Sequence, residues 1–245
     1  MTKTEKRPLI IAHRGSKGEA PENTLASFAL ALQQHCDAIE LDIHLSRDGV
    51  PVVIHDDTVD RTTNGTGKVE SMTVDELQAL DAGSWFDPRY AGEQIPTLAE
   101  VFELVPPSIM INVEIKGISG GRTEQELLKL LKAYDRIESV VVSSFDHKCL
   151  RRLKQADPRI QIGLLYSANF VDHVAVAKLT GIPVYSLHPQ ADLIAPEDIA
   201  AAHEAGLQIY PFTINREEHM KLGIQVGLDG IITDYPARLY KLLHA

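Results

Sequence analysis

The stretch AIELDIHLSRDGVPVVIHDD, residues 38–57, sets Glu40, Asp42, His44 and His55 among aliphatic runs suited to burial. A carboxylate taken out of water is costly unless it is paired or binds a metal. Residues two apart on a strand point to one side, so Glu40 and Asp42 project together while Ile39, Leu41 and Ile43 pack the other way. VEIKG (113–117) repeats this spacing with Glu114 and Lys116, and His13 and Arg14 end the aliphatic run LIIAH. Glu40, Asp42 and Glu114 are therefore expected to converge from neighbouring strands, where repulsion adds to desolvation. A divalent cation would relieve both costs, and an ion-pair network with Arg14 and Lys116 is the alternative. The cation is the favoured reading, and all-oxygen ligands select Mg2+ or Ca2+ over Zn2+.

Free imidazoles titrate near neutrality, so His13 and His55 suit a proton exchange in which one takes a proton from a nucleophile and the other protonates a departing alkoxide. Arg14 and Lys116 offer cations for phosphate oxygens, one as a fork and one as a point charge. His188 ends a later strand and is a further candidate at the same face, whereas the remaining histidines read as structural. A cation, two fixed positive charges and an acid–base pair together point to phosphoryl chemistry.

These side chains need strands to carry them. Aliphatic segments recur at 9–13, 38–43, 109–115, 139–143, 160–165, 184–188, 208–213 and 230–234. Between most of them, helical spacing marks 22–34, 97–105, 123–134, 196–206 and 236–244. Thr97–Glu100 and Thr123–Glu126 have capping-box spacing, Pro196 and Pro236 suit first helical turns, and Asn23 reads as a helix cap. Buried strands alternating with amphipathic helices predict a (β/α)8 TIM barrel, with a doubly wound open sheet as runner-up. The candidate residues then sit at the carboxyl ends of strands, where barrel enzymes place their chemistry.

The interval from Ala38 to Ile109 is too long for one β/α unit. A single domain spanning 1–245 is expected, with a small insertion at about 44–96 between strand 2 and its helix. Asp48-Gly49 is a strong two-residue turn signal, so residues 52–56 should return antiparallel on strand 2 with Asp42 opposite His55. Trp85, Phe86 and Tyr90 are expected to form the insertion's own small core, with a cap over the pocket as the alternative. The segment Gly65–Lys68 lacks the spacing of a phosphate loop.

The formal net charge of −10 argues against nucleic acid or an anionic membrane as partner. Two cysteines without a CxxC pair, an amino-terminal apolar run too short for a signal peptide and no long apolar segment together suggest a cytoplasmic protein without stable membrane association.

Taken as blocks, HRGSKGEAPENT (13–24), ELDIHLSRDGVPVVIHDD (40–57), RTTNGTGKV (61–69), VEIKG (113–117) and DGIITDYP (229–236) resemble the glycerophosphodiester phosphodiesterase family. The resemblance implies a barrel with a small insertion after strand 2. It implies His13 and His55 as the acid–base pair, Glu40, Asp42 and Glu114 as ligands of a divalent ion, and Arg14 and Lys116 as phosphate contacts. The implied reaction converts a small-molecule glycerophosphodiester to glycerol 3-phosphate and an alcohol. Family members often carry Trp where YPFTIN has Phe212, a position that would line the glycerol side of the pocket. Lipid phosphodiester cleavage, as in lysophospholipase D or phosphatidylinositol phospholipase C relatives, is the alternative, and a non-catalytic phosphodiester-binding protein is a further one. A homodimer is compatible with this reading.

Overall fold

A computed structural model describes residues 7–118 and 120–244. Residues 1–6, part of the segment used to judge a signal peptide, lie outside them. Eight parallel strands alternate with helices in the order β1 (Leu9–His13), α1 (Leu25–Gln33), β2 (Ala38–Leu45), then β3 (Pro51–Val53), α2 (Val74–Gln78) and α3 (Leu98–Leu104). There follow β4 (Met110–Ile115), α4 (Arg122–Ala133), β5 (Val140–Ser144), α5 (His147–Ala156), β6 (Gln161–Tyr166) and α6 (His173–Leu179). The chain ends with β7 (Ser186–Pro189), α7 (Pro196–Glu204), β8 (Gln208–Ile209), α8 (Glu217–Gln225), β9 (Gly230–Thr233) and α9 (Pro236–Leu243). The sheet runs β8-β7-β6-β5-β4-β2-β1-β9, with β3 added antiparallel to β2. Past β8, Ile232 N–H donates to the Pro211 carbonyl at 3.3 Å and Ile214 N–H to the Ile232 carbonyl at 2.9 Å, bridging the remaining gap. The fold is a TIM barrel.

Strand periodicity sorts the side chains. Ile10, Ala12, Ile39, Leu41, Ile43, Ile111 and Val113 join the core between sheet and helices, while Ile11, Ala38, Tyr210 and Ile232 pack a separate cluster inside the barrel. The interior positions above that cluster are left to polar groups.

Between β2 and α3 the chain forms the hairpin strand β3, α2 and two short 3-10 turns. Its apolar centre is Val52, Ile54, Val59, Val69, Leu77, Ala82 and Ile95. Trp85, Phe86 and Tyr90 are not part of it. They contact one another edge-on at 5.7 and 5.9 Å, and Tyr90 and Arg89 reach across to the Glu19 carbonyl.

Three local expectations need correction. The hairpin turn has three residues rather than two: Ser46 N–H donates to the Val50 carbonyl at 3.0 Å, and Gly49 takes the left-handed φ of 87° that closes such a loop. One extra residue slips the register, so Asp42 faces Ile54, whose N–H donates to the Asp42 carbonyl at 3.0 Å. Helix α4 starts at Arg122 with Gly121 as its cap, so Thr123 lies inside the helix and cannot head a capping box, whereas the Thr97–Glu100 box forms. Helix α1 is capped by Thr24, which frees Asn23 for another task.

Candidate active site

Strand register brings the acids together. Asp42 on β2 pairs with Glu114 on β4, and Glu40 lies level with His13 on β1. Oxygens of Glu40, Asp42 and Glu114 all lie within 4.8 Å of one another, and all three residues are buried. Lys116 Nζ is 2.7 Å from Glu114 Oε1 and 3.6 Å from Asp42 Oδ1. Arg14 donates its backbone N–H to Glu40 at 3.0 Å and its guanidinium to Glu22 at 2.8 Å, with Nε 3.2 Å from Asp42. To do so it adopts a φ of 53°, and Asn23 adopts 59°; left-handed conformations at non-glycine residues persist where surroundings over-determine them. Gly15 follows at φ 81°, and a Cβ there would meet Ser27 Oγ at 2.3 Å, so the turn that aims Arg14 admits only glycine.

Electrostatics divide the carboxylates. Burial raises the Glu40 pKa well above its usual value, and the charges of Asp42 and Glu114 add to the rise. Burial and Asp42 likewise push Glu114 up to about 7, against the pull of Lys116. Burial would raise Asp42 too, but Arg14, Lys116 and His55, with a 2.9 Å bond from Asn23, hold it at about 2. Among the described residues, buried Asp42 Oδ1 has no hydrogen-bond donor. An all-oxygen set in which two acids resist ionisation and one oxygen lacks a donor fits a hard divalent cation.

Both expected imidazoles flank this cluster, each fixed by a carboxylate. His13 Nδ1 is 2.6 Å from Asp234 Oδ1, and its Nε2 is 4.0 Å from Glu40. Asn215 Nδ2 donates to Asp234 Oδ2 at 2.7 Å, and Asn215 Oδ1 accepts from the Asp234 backbone N–H at 2.9 Å. His55 Nδ1 is 2.6 Å from Asp56, which Arg61 grips at 2.7 and 3.1 Å while also donating to Glu22. Burial lowers the pKa of both rings, with Asp234 and Asp42 respectively opposing the fall. A chain of ion pairs thus runs from Arg14 through Glu22 and Arg61 to Asp56, whose carboxylate holds His55 by the hydrogen bond to Nδ1. Sequence reasoning missed Asp56, Arg61, Asn215 and Asp234. For Asp234 a signal was present, since it directly follows the last strand at the face carrying the other groups.

His188 stands elsewhere than expected. It is wholly buried inside the barrel rather than presented at the mouth, its Nε2 2.7 Å from Ser186 Oγ and its ring edge-on to Tyr210. Gly163 makes room for it, because a Cβ there would approach the ring at 2.4 Å. Burial lowers its pKa from 6.5 to about 3. The unfolded chain would take up a proton near 6.5 and the folded ring only near 3, so stability held by the neutral ring is complete above 6.5 and is lost as pH falls toward 3. Replacing His188 by Gln is expected to remove about 2–3 kcal/mol of the stability difference between pH 7 and pH 4.5. The check is Tm of both proteins at the two values, and parallel changes would contradict it. Phe212 follows β8, packs edge-on to Phe145 at 6.0 Å and borders an apolar cavity of about 660 Å³ beside α7 and α8.

A parallel barrel that gathers carboxylates, cations and carboxylate-held imidazoles at the carboxyl ends of its strands defines a barrel enzyme suited to phosphoryl chemistry. The model of the glycerophosphoryl diester phosphodiesterase family matches residues 13–238. The chain is 44% identical over 242 residues to a glycerophosphodiester phosphodiesterase of Caldanaerobacter subterraneus, covering 97% of this chain and 98% of that one. It superposes on an Oleispira antarctica phosphodiesterase in complex with its product sn-glycerol-3-phosphate with a TM-score of 0.90, at 35% identity and 98% coverage of both chains. A glycerophosphodiester phosphodiesterase from Agrobacterium tumefaciens gives 0.84 at 30% identity, covering 96% of this chain and 99% of that one. The chain belongs to the glycerophosphoryl diester phosphodiesterase family and is a phosphoric diester hydrolase.

Proposed function

We propose that this protein hydrolyses small-molecule glycerophosphodiesters to sn-glycerol 3-phosphate and an alcohol. Glu40, Asp42 and Glu114 hold a divalent cation, Mg2+ or Ca2+, and His13 and His55 form the acid–base pair. The observation that carries this reading is the buried carboxylate cluster with both histidines beside it, their Nδ1 atoms 2.6 Å from Asp234 and Asp56. The cation, when bound, supplies charge neutralisation and polarisation of a phosphoryl oxygen. Arg14 and Lys116 neutralise and orient the remaining phosphate oxygens. With Nδ1 of each ring committed to its carboxylate, Nε2 is left for transfer. One ring takes the proton of the attacking hydroxyl and the other protonates the alkoxide as its P–O bond breaks; attack by water gives glycerol 3-phosphate directly, whereas attack by the glycerol hydroxyl closes a cyclic phosphate that a water then opens with the two rings exchanging roles. Phe212 lies on the glycerol side, and His188 acts behind the pocket wall through packing.

The test is hydrolysis of glycerophosphocholine with identification of both products. Free choline and sn-glycerol 3-phosphate are expected; phosphocholine and glycerol would assign cleavage to the wrong ester bond, and no turnover would refute the activity. The apolar cavity beside Phe212 favours one second reading, cleavage of a lysophospholipid with its acyl chain in that groove. A kcat/KM on lysophosphatidylcholine above that on glycerophosphocholine would select it. Among the described residues no helix is long and apolar enough to cross a membrane.

A further inference from the structure

A second cavity, of about 480 Å³, adjoins the cluster on the side of the hairpin and the start of α4. Its charged walls are His44, Asp57, Lys68, Glu70, Lys116 and Arg122. Lys116 belongs both to this wall and to the carboxylate cluster, 2.7 Å from Glu114, so a phosphate held by Lys116 has one ester arm within reach of the cavity. Most wall charges already have partners: Lys68 lies 3.3 Å from Glu70, Lys116 is engaged as above, and His44 Nε2 is 3.1 Å from the His55 carbonyl. Arg122 is different. Its exposed side chain makes no hydrogen bond or ion pair among the described residues, and its Nη2 lies 2.8 Å from where a Cβ on Gly49 would sit, so the hairpin turn leaves it room. Asp57, exposed across the same cavity, accepts among the described residues through its backbone carbonyl alone, from Val69 N–H.

We propose that this cavity is the subsite for the alcohol arm of the diester, and that it selects hydroxyl-rich alcohols such as glycerol or inositol. This inference rests on the phosphodiesterase reading of the adjoining site. A polyol hydroxyl both donates and accepts, so it satisfies a free guanidinium and a free carboxylate at once. A quaternary ammonium head group satisfies neither guanidinium nor hydrogen-bond acceptor, and it is normally recognised by aromatic faces. Among the described residues no Phe, Tyr or Trp lines this cavity, whereas Phe145 and Phe212 pack against each other elsewhere. The space is ample for a six-membered ring.

The experiment measures kcat/KM for glycerophosphoinositol, glycerophosphoglycerol and glycerophosphocholine on the full chain with added Mg2+ or Ca2+. A hydrogen bond to a charged group is worth about 1.5–3 kcal/mol, so the wild-type protein should favour the two polyol esters by roughly tenfold or more. In Arg122→Ala and, separately, Asp57→Asn, that preference should shrink about tenfold, with the change carried by KM. Far-ultraviolet circular dichroism verifies that each variant is folded. An unchanged preference in both folded variants, or a wild-type preference for glycerophosphocholine, overturns the subsite while leaving the activity intact. Failure of the wild-type protein to cleave any of the three esters overturns the phosphodiesterase reading and the subsite with it.

Discussion

The His13→Ala variant is expected to lose about a thousandfold in kcat, with cation affinity by calorimetry within a few-fold of wild type. The size follows from how the ring is held. Burial keeps the imidazole neutral, and Asp234 at 2.6 Å accepts its Nδ1 proton, so Nε2 presents a lone pair toward the cluster. Asp234 is itself held by both groups of the Asn215 side chain, which leaves the pair little freedom. The Asp234→Asn variant keeps the shape but removes the charge that selects this tautomer, and kcat should fall by about a hundredfold with KM little changed. His55→Ala should behave like His13→Ala, because Asp56 and Arg61 fix that ring in the same manner. Near wild-type kcat in either alanine variant would remove that histidine from the chemistry.

Complete chelation of divalent ions is expected to abolish turnover, and added Mg2+ or Ca2+ to restore it. Without a cation, the oxygens of Glu40, Asp42 and Glu114 sit within 4.8 Å of one another out of water, where only Asp42 is strongly held in its charged form. Arg14 and Lys116 cannot answer all of this charge and also face a dianionic product. A cation bound to the folded state alone, at a hundred times its Kd, adds about 2.7 kcal/mol of stability. For a chain of this length that is a rise of roughly 5–10 °C in Tm. Glu114→Gln should lose both the Tm response and the activity. Full activity in a rigorously metal-free sample, or an unchanged Tm response in Glu114→Gln, would return the cluster to an ion-pair network with its two bases.

Much of the site is legible along the chain because strand geometry is local. Alternation in IELDI determines that Glu40 and Asp42 share a side, and a parallel barrel determines that strand ends share a mouth. The hairpin was legible as a hairpin but not in register, since a third loop residue, permitted by Gly49 at φ 87°, slips the pairing by one. Asn23 looks like a helix cap by composition, yet Thr24 takes that role and Asn23 turns to Asp42. Local propensity cannot distinguish adjacent residues that both cap well.

By itself the sequence determined the barrel and the set of residue types gathered at its strand ends: the trio of acids, His13, His55, Arg14 and Lys116. Only the tertiary structure decided who holds whom: Asp234 on His13, Arg61 between Glu22 and Asp56, and His188 sunk beneath Gly163's empty side. The reason is physical. Spacing of two or four residues is imposed by the backbone, whereas a hydrogen bond between positions 13 and 234 exists only once the first and last strands pair, and any of many acids would look alike before they do.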